Sequence, residues 1–189
     1  MFKKIAFITL FICFYCNSYA QQETKTLSFE PHIGISISNL TNANLDAKTG
    51  FVAGMNLQYQ LTKNFGFVSG LEYSNYGAKD GDANLTLGYI DLPILGKYYI
   101  YKGLSTYAGL QFGYNIYDGR TDFILPADAK KITFSIPIGI SYDFKHFSIN
   151  GQYFFGLSNV YNDFKYKNRG IKLTIGYKIN NTHWQNEVN

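Results

Sequence analysis

The sequence predicts an all-β fold, an eight-stranded antiparallel up-and-down transmembrane β-barrel behind a cleaved signal peptide. Three observations carry this. Eight segments alternate apolar and polar residues with a period of two, the periodicity of a strand. The connections between them alternate in length, tight and then long. Charged residues make up only 16% of the 189-residue chain and aromatics 18%, with 18 glycines, a composition suited to strands and tight turns rather than helices.

The first 20 residues have the layout of a secretory signal. Lys3 and Lys4 precede an apolar run ending near Tyr15, and Ser18-Tyr19-Ala20 is a small-x-small cleavage site, so Gln21 begins the mature chain. The run is shorter than the ~20 residues a spanning helix needs. Both cysteines, Cys13 and Cys16, fall in this segment, so the predicted mature chain has no disulfide, thiolate metal site or cysteine nucleophile. Without Lys3 and Lys4, 15 basic residues face 13 acidic ones, and a balance of +2 does not point to nucleic acid.

The segments follow in order, the apolar row named first. Residues 27–38 set Leu27, Phe29, Ile33, Ile35 and Ile37 against Ser28, Glu30, His32 and Ser36. Residues 51–61 set Phe51, Met55, Leu57 and Tyr59 against Asn56, Gln58 and Gln60, and residues 65–76 set Phe67, Leu71 and Tyr73 against Gly70, Glu72 and Ser74. Residues 89–100 place Ile90, Leu92, Ile94, Tyr98 and Ile100 opposite Asp91, Pro93 and Lys97. Residues 105–117 set Leu110, Phe112 and Tyr114 against Gly109, Gln111 and Asn115. Residues 132–144 are the plainest, with Phe134, Ile138, Ile140 and Tyr142 opposite Ser135, Gly139, Ser141 and Asp143. Residues 147–158 set Ile149, Tyr153 and Phe155 against Ser148, Asn150 and Gln152, and residues 171–179 set Leu173, Ile175 and Tyr177 against Lys172, Thr174 and Lys178.

Each segment approaches the ~9–11 residues of a tilted membrane strand. Thr62-Lys63-Asn64, Tyr101-Lys102-Gly103 and Lys145-His146 are the tight connections; residues 39–50, 77–88, 118–131 and 159–170 are the long polar ones. Short turns at one end and long loops at the other is the outer-membrane arrangement, which places the turns and both termini in the periplasm. A soluble barrel of lipocalin type would have the same alternation with its faces reversed. The apolar rows hold far more large side chains than an eight-stranded lumen can enclose, so they face lipid. Pro93 and Pro137, each lacking a ladder donor, are expected at bulges.

The eight segments, the leader ending before Gln21, and above all Tyr89-Ile90-Asp91-Leu92-Pro93-Ile94-Leu95-Gly96-Lys97-Tyr98, resemble the small outer-membrane β-barrel family common in Bacteroidota, often labelled PorT-like. The resemblance covers essentially the whole mature chain. It implies an eight-stranded barrel inserted by the general barrel-assembly machinery, in a family whose PorT name is tied to a protein-secretion system. Such barrels usually end on an aromatic strand; here ten residues, 180–189, follow Tyr177-Lys178-Ile179 as a polar periplasmic tail.

The polar rows place Glu30, His32, Glu72, Asp91, Lys97, Asp143, Lys172 and Lys178 in the lumen, as an ion network with Glu30 and Lys178 paired. The outer loops offer candidate contact residues: Phe123, Ile124 and Leu125 at an apolar tip, and Tyr161, Phe164, Lys165, Lys167 and Arg169 in an aromatic and basic loop suited to lipopolysaccharide phosphates or a protein partner. No catalytic, cofactor or metal site is expected. Asp80-Gly81-Asp82-Ala83-Asn84 starts like a calcium loop but lacks glycine at position six, where Leu85 stands. His146 and Ser148 share a face as in lipid A deacylase barrels, yet sit at a turn on the wrong side of the membrane. The expected function is therefore a non-enzymatic barrel in the outer membrane serving envelope structure or interaction. A narrow transport pore or a secretion-system accessory barrel is the alternative, and a lipid-modifying enzyme a distant third.

Overall fold

The structure, a computed structural model, describes residues 24–41, 45–121, 129–161 and 165–181. Its strands are β1 (Leu27–Leu40), β2 (Asp46–Gln60), β3 (Phe65–Asp80), β4 (Ala83–Tyr101), β5 (Leu104–Thr121), β6 (Ile132–Phe144), β7 (Phe147–Gly156), β8 (Asn168–Tyr177) and β9 (Ile179–Asn181). From β1 to β8, each strand pairs antiparallel with the next, and β1 closes the ring by pairing with both β2 and β8. β9 prolongs β8: His32 faces Gly176 and Phe29 faces Ile179 on one continuous register. The wall is thus a closed eight-stranded antiparallel barrel, which leaves no unpaired sheet edge in hydrocarbon.

The apolar rows face outward. Ile33, Leu71, Ile94, Ile140, Ile149 and Ile175 are all at least half exposed, whereas the polar rows are buried inside. The turn end is tight. Between β4 and β5, Lys102 (φ 31°) and Gly103 (φ 85°) both adopt positive φ, as a two-residue hairpin needs to match the strand twist.

At the loop end the strands run farther than expected. Residues 77–88 are not a long polar loop: Ala78 pairs with Leu85 and Asp80 with Ala83, so β3 and β4 continue to a tight turn at Gly81-Asp82. β5 continues to Thr121 alongside β4. The reason is an exchange of surroundings. Within the membrane the outward row is apolar and the inward row polar. Above the membrane the outside is water and the inside is protein, so Leu85, Leu87 and Tyr89 on the inward row are the apolar ones. The inversion makes the sequence look as though the strand stops.

Neither proline sits at a bulge. Beside Pro93 the β3–β4 ladder skips from Ser69–Ile94 to Glu72–Asp91, and beside Pro137 the β5–β6 ladder skips from Ala108–Ile138 to Gln111–Ser135; both resume in the same register. A missing N–H removes one donor on one side, and the stagger of a closed barrel opposes an inserted residue. Register shifts occur instead between Ala47 and Val52, Gly88 and Tyr89, and Tyr99 and Tyr101.

Candidate functional site

The lumen is filled in layers. At the loop end lies an apolar plug of Leu40, Tyr76, Leu85, Leu87, Tyr89, Phe154, Val160 and Tyr161. Tyr76 stacks against Phe154 at 4.7 Å and Tyr89 at 5.4 Å between ring centroids. The loop after β7 folds over it: Lys130 N donates to Val160 O, and Val160 N to Tyr166 O, each at 2.7 Å. Arg120 lies over the Tyr161 ring at 5.7 Å and donates through Nε and Nη2 to the two oxygens of Asp118 at 3.0 and 2.5 Å. Burial pushes the Asp118 carboxyl up, but these bonds and the one it accepts from Ala129 N at 3.1 Å hold it below its ordinary range. Burial, reinforced by Asp118, pushes the Tyr161 phenol up to about 12.

Beneath the plug is a first layer of charge. Lys172 on β8 pairs closely with Glu72 on β3 and donates to Asp91 on β4 at 3.3 Å and Gln111 on β5 at 3.5 Å. Tyr76 OH donates to Asp91 at 2.5 Å, and His32 Nε2 lies 2.9 Å from Glu72. The ammonium also sits over the Tyr76 and Phe154 rings at 5.2 and 5.5 Å, joining the charge layer to the plug.

Below lies a cavity of about 50 Å³, lined by Glu30, His32, Glu72, Lys97, Tyr107 and Lys172 among others. It has room for a few waters rather than a ligand. A second charge layer closes the turn end. Asp143 on β6 accepts from Lys178 at 2.5 Å, Tyr99 at 2.8 Å and Lys97 at 3.5 Å. Among the described residues, the three buried ammoniums of Lys97, Lys172 and Lys178 each meet a carboxylate, the condition for burying charge at all.

All eight residues of the polar rows thus point into the lumen, divided between two layers. The Glu30–Lys178 contact exists at 4.0 Å, but the nearer partner of Lys178 is Asp143. Lysine is long enough to cross the lumen, so its partner is set by the far wall as well as by the adjacent strand. Tyr161 is not a surface contact residue: it is fully buried in the plug. Lys165 and Arg169 are exposed and Lys167 half-exposed. Phe123, Ile124, Leu125 and Phe164 lie outside the described residues, as does the 182–189 stretch of the tail. His146 and Ser148 do not meet: His146 stacks on Tyr177 outside the wall at 5.7 Å, while Ser148 is buried inside. Among the described residues no group of three or more His, Cys, Asp or Glu could hold a metal. Sequence reasoning places Tyr99 and Phe154 on the inward rows but names neither in the site, and it leaves Tyr76 without a face; all three are buried in the lumen. Their signal was an aromatic on an otherwise small, polar row.

The sequence model of an outer membrane protein beta-barrel domain matches residues 19–162. No curated protein matches. Among solved structures the fold is similar to Ail, the attachment invasion locus protein of Yersinia pestis (TM-score 0.54, 15% identity, 83% of this chain and 100% of that one). It is also similar to Ail in complex with the heparin analogue sucrose octasulfate (TM-score 0.55, 16% identity, 82% and 100%), and to Neisserial surface protein A (TM-score 0.55, 12% identity, 81% and 97%). At these identities the likeness is one of fold.

Proposed function

The chain belongs to the outer membrane protein beta-barrel domain family, and from that premise we propose that it is a closed, non-enzymatic barrel that acts through its loop-side surface in envelope structure or interaction. The observation that carries the reading is the filled lumen, in which an apolar plug and two ion-paired layers lie between one mouth and the other. The barrel stands in the outer membrane, with lipid against its apolar rows. Residues 1–20 are read as its signal peptide, 21–181 as the barrel delivered by the barrel-assembly machinery, since Asn180 and Asn181 of β9 pair with Ser28 and Leu27 and belong to the wall rather than the tail, and 182–189 as a periplasmic tail, with both termini on that side. The ion network of Glu30, His32, Glu72, Asp91, Lys97, Asp143, Lys172 and Lys178 is structural in this reading. Lys165 and Lys167 on the loop before β8, with Arg169 at the start of β8 rather than on a loop, are the residues to meet lipopolysaccharide phosphates or a protein partner.

Single-channel recording in planar bilayers tests the closed lumen; sustained discrete conductance would replace this reading with a transport pore. Pull-down from solubilised outer membrane tests the interaction. A stoichiometric secretion-system component would favour the PorT-like accessory role over a purely structural one.

A further inference from the structure

The turn end of the barrel has a charge pattern that the lumen does not use. Lys63, Lys102 and Lys145 each occupy one of the three tight connections, and Lys25 lies at the same end just before β1; all four are exposed. Among the described residues this end presents no exposed carboxylate, because Glu30 and Asp143 are buried in the lumen. Lys25, Lys102 and Lys145 have φ of 62°, 31° and 53°, and they are the only non-glycine residues described with positive φ. Left-handed positions favour glycine or asparagine, so turn geometry alone does not call for lysine there. Two of the side chains, those of Lys102 and Lys145, lean outward rather than down into the aqueous space. Lys102 Nζ lies 5.3 Å from the centroid of the Tyr101 ring and Lys145 Nζ 5.6 Å from that of Phe144, and both rings are exposed on the lipid-facing wall. Exposed Leu61 stands two residues before Lys63, and exposed Leu27 two residues after Lys25.

We infer that these four lysines form a ring that binds the phosphates of anionic glycerophospholipids in the leaflet at the turn end. An ammonium held on the outer wall, at the edge of an apolar belt and over an interfacial aromatic ring, stands at headgroup depth. A periplasmic polymer would meet cations at the end face of the barrel instead. The inference rests on the outer-membrane reading above and adds a preference between lipids to it.

The test is spin-label lipid association with the full mature chain in phosphatidylcholine vesicles, comparing labelled phosphatidylglycerol with labelled phosphatidylcholine. Expected is a preference for phosphatidylglycerol of about fivefold at low salt, falling toward one at high salt. The quadruple variant K25Q/K63Q/K102Q/K145Q should lose it, and the loop-side control K79Q/K131Q should keep it. Equal association of the two lipids with the wild type, or a preference that survives the quadruple variant, overturns the inference. So does co-sedimentation of the wild type with purified peptidoglycan in place of any lipid preference. Should the quadruple variant fail to fold, the wild-type salt series still decides, since a preference undiminished at high salt excludes an electrostatic ring. A chain that does not insert into vesicles at all overturns the membrane reading itself, which separates that failure from this one.

Discussion

Lys178 Nζ lies 2.5 Å from Asp143 Oδ2, although Lys178, at the junction of β8 and β9, and Asp143 on β6 stand on walls separated by β7. Asp143 also accepts from Tyr99 and Lys97, so one carboxylate holds the turn-end layer together. Asp143→Asn leaves two ammoniums without their nearest carboxylate in a nearly dry lumen. The expected loss is about 3–5 kcal/mol in urea unfolding from vesicles. A loss below about 1 kcal/mol would mean that the layer contributes little.

Lys172 plays the matching part in the upper layer, between Glu72 and Asp91. Lys172→Met alone should destabilise by a similar amount. The triple variant Glu72→Gln, Asp91→Asn, Lys172→Met should recover most of that stability, because the cost lies in the uncompensated charge rather than in the absence of the pair. Thermal mobility shift on gels, measured for both variants, checks the order.

Tyr161 is fully buried, and its hydroxyl finds no hydrogen-bond partner among the described residues. Tyr161→Phe should therefore stabilise the barrel, by about 1 kcal/mol, by removing a desolvated hydroxyl while keeping the ring under Arg120. Destabilisation in the same unfolding assay would show that the hydroxyl is satisfied.

The Asp118–Arg120 pair gives the loop cap a pH dependence. The Asp118 carboxyl is depressed in the folded state, chiefly by its bonds to Arg120 and Ala129 acting against burial. The stability it contributes is complete above the ordinary aspartate value of about 3.9 and is lost as pH falls through the lower folded value. NMR titration of this carboxyl should give a midpoint below about 3.9, and Asp118→Asn should remove the acid-side loss of protection of the loop against protease.

Gly139 faces Tyr107 across β5 and β6, and a Cβ built there would clash with the Tyr107 ring and lie 2.7 Å from the Gly151 carbonyl oxygen. Gly139→Val must displace that ring, which packs with Val68 and Leu95 inside the wall. A loss of about 1–3 kcal/mol is expected; an unchanged unfolding midpoint would show that both the ring and the Gly151 backbone yield without cost.

Much of this architecture is readable along the chain. A strand in a bilayer has two faces with opposite demands, so rows such as Phe134, Ile138, Ile140 and Tyr142 against Ser135, Gly139 and Ser141 declare both strand and orientation. Leu85 and Leu87 defeated that reading. Their polarity inverts where the strand leaves the membrane, and no local signal marks that height. Residues 77–88 then looked like one long polar loop, although the hairpin needs only Gly81-Asp82. Tyr161 was likewise misplaced, because an aromatic in a basic loop looks the same whether it covers a plug or meets a partner.

By itself the sequence determined which side of the wall the residues of the lipid-crossing part of each strand face, because the strand period is two and lipid tolerates one answer. Only the tertiary structure decided which lumen residues meet. Glu30 stands opposite Lys178 along the β1–β8 register, yet Asp143 holds it more closely. Distances across a closed barrel depend on strand number, tilt and stagger together, and those are properties of the ring as a whole that no single strand encodes.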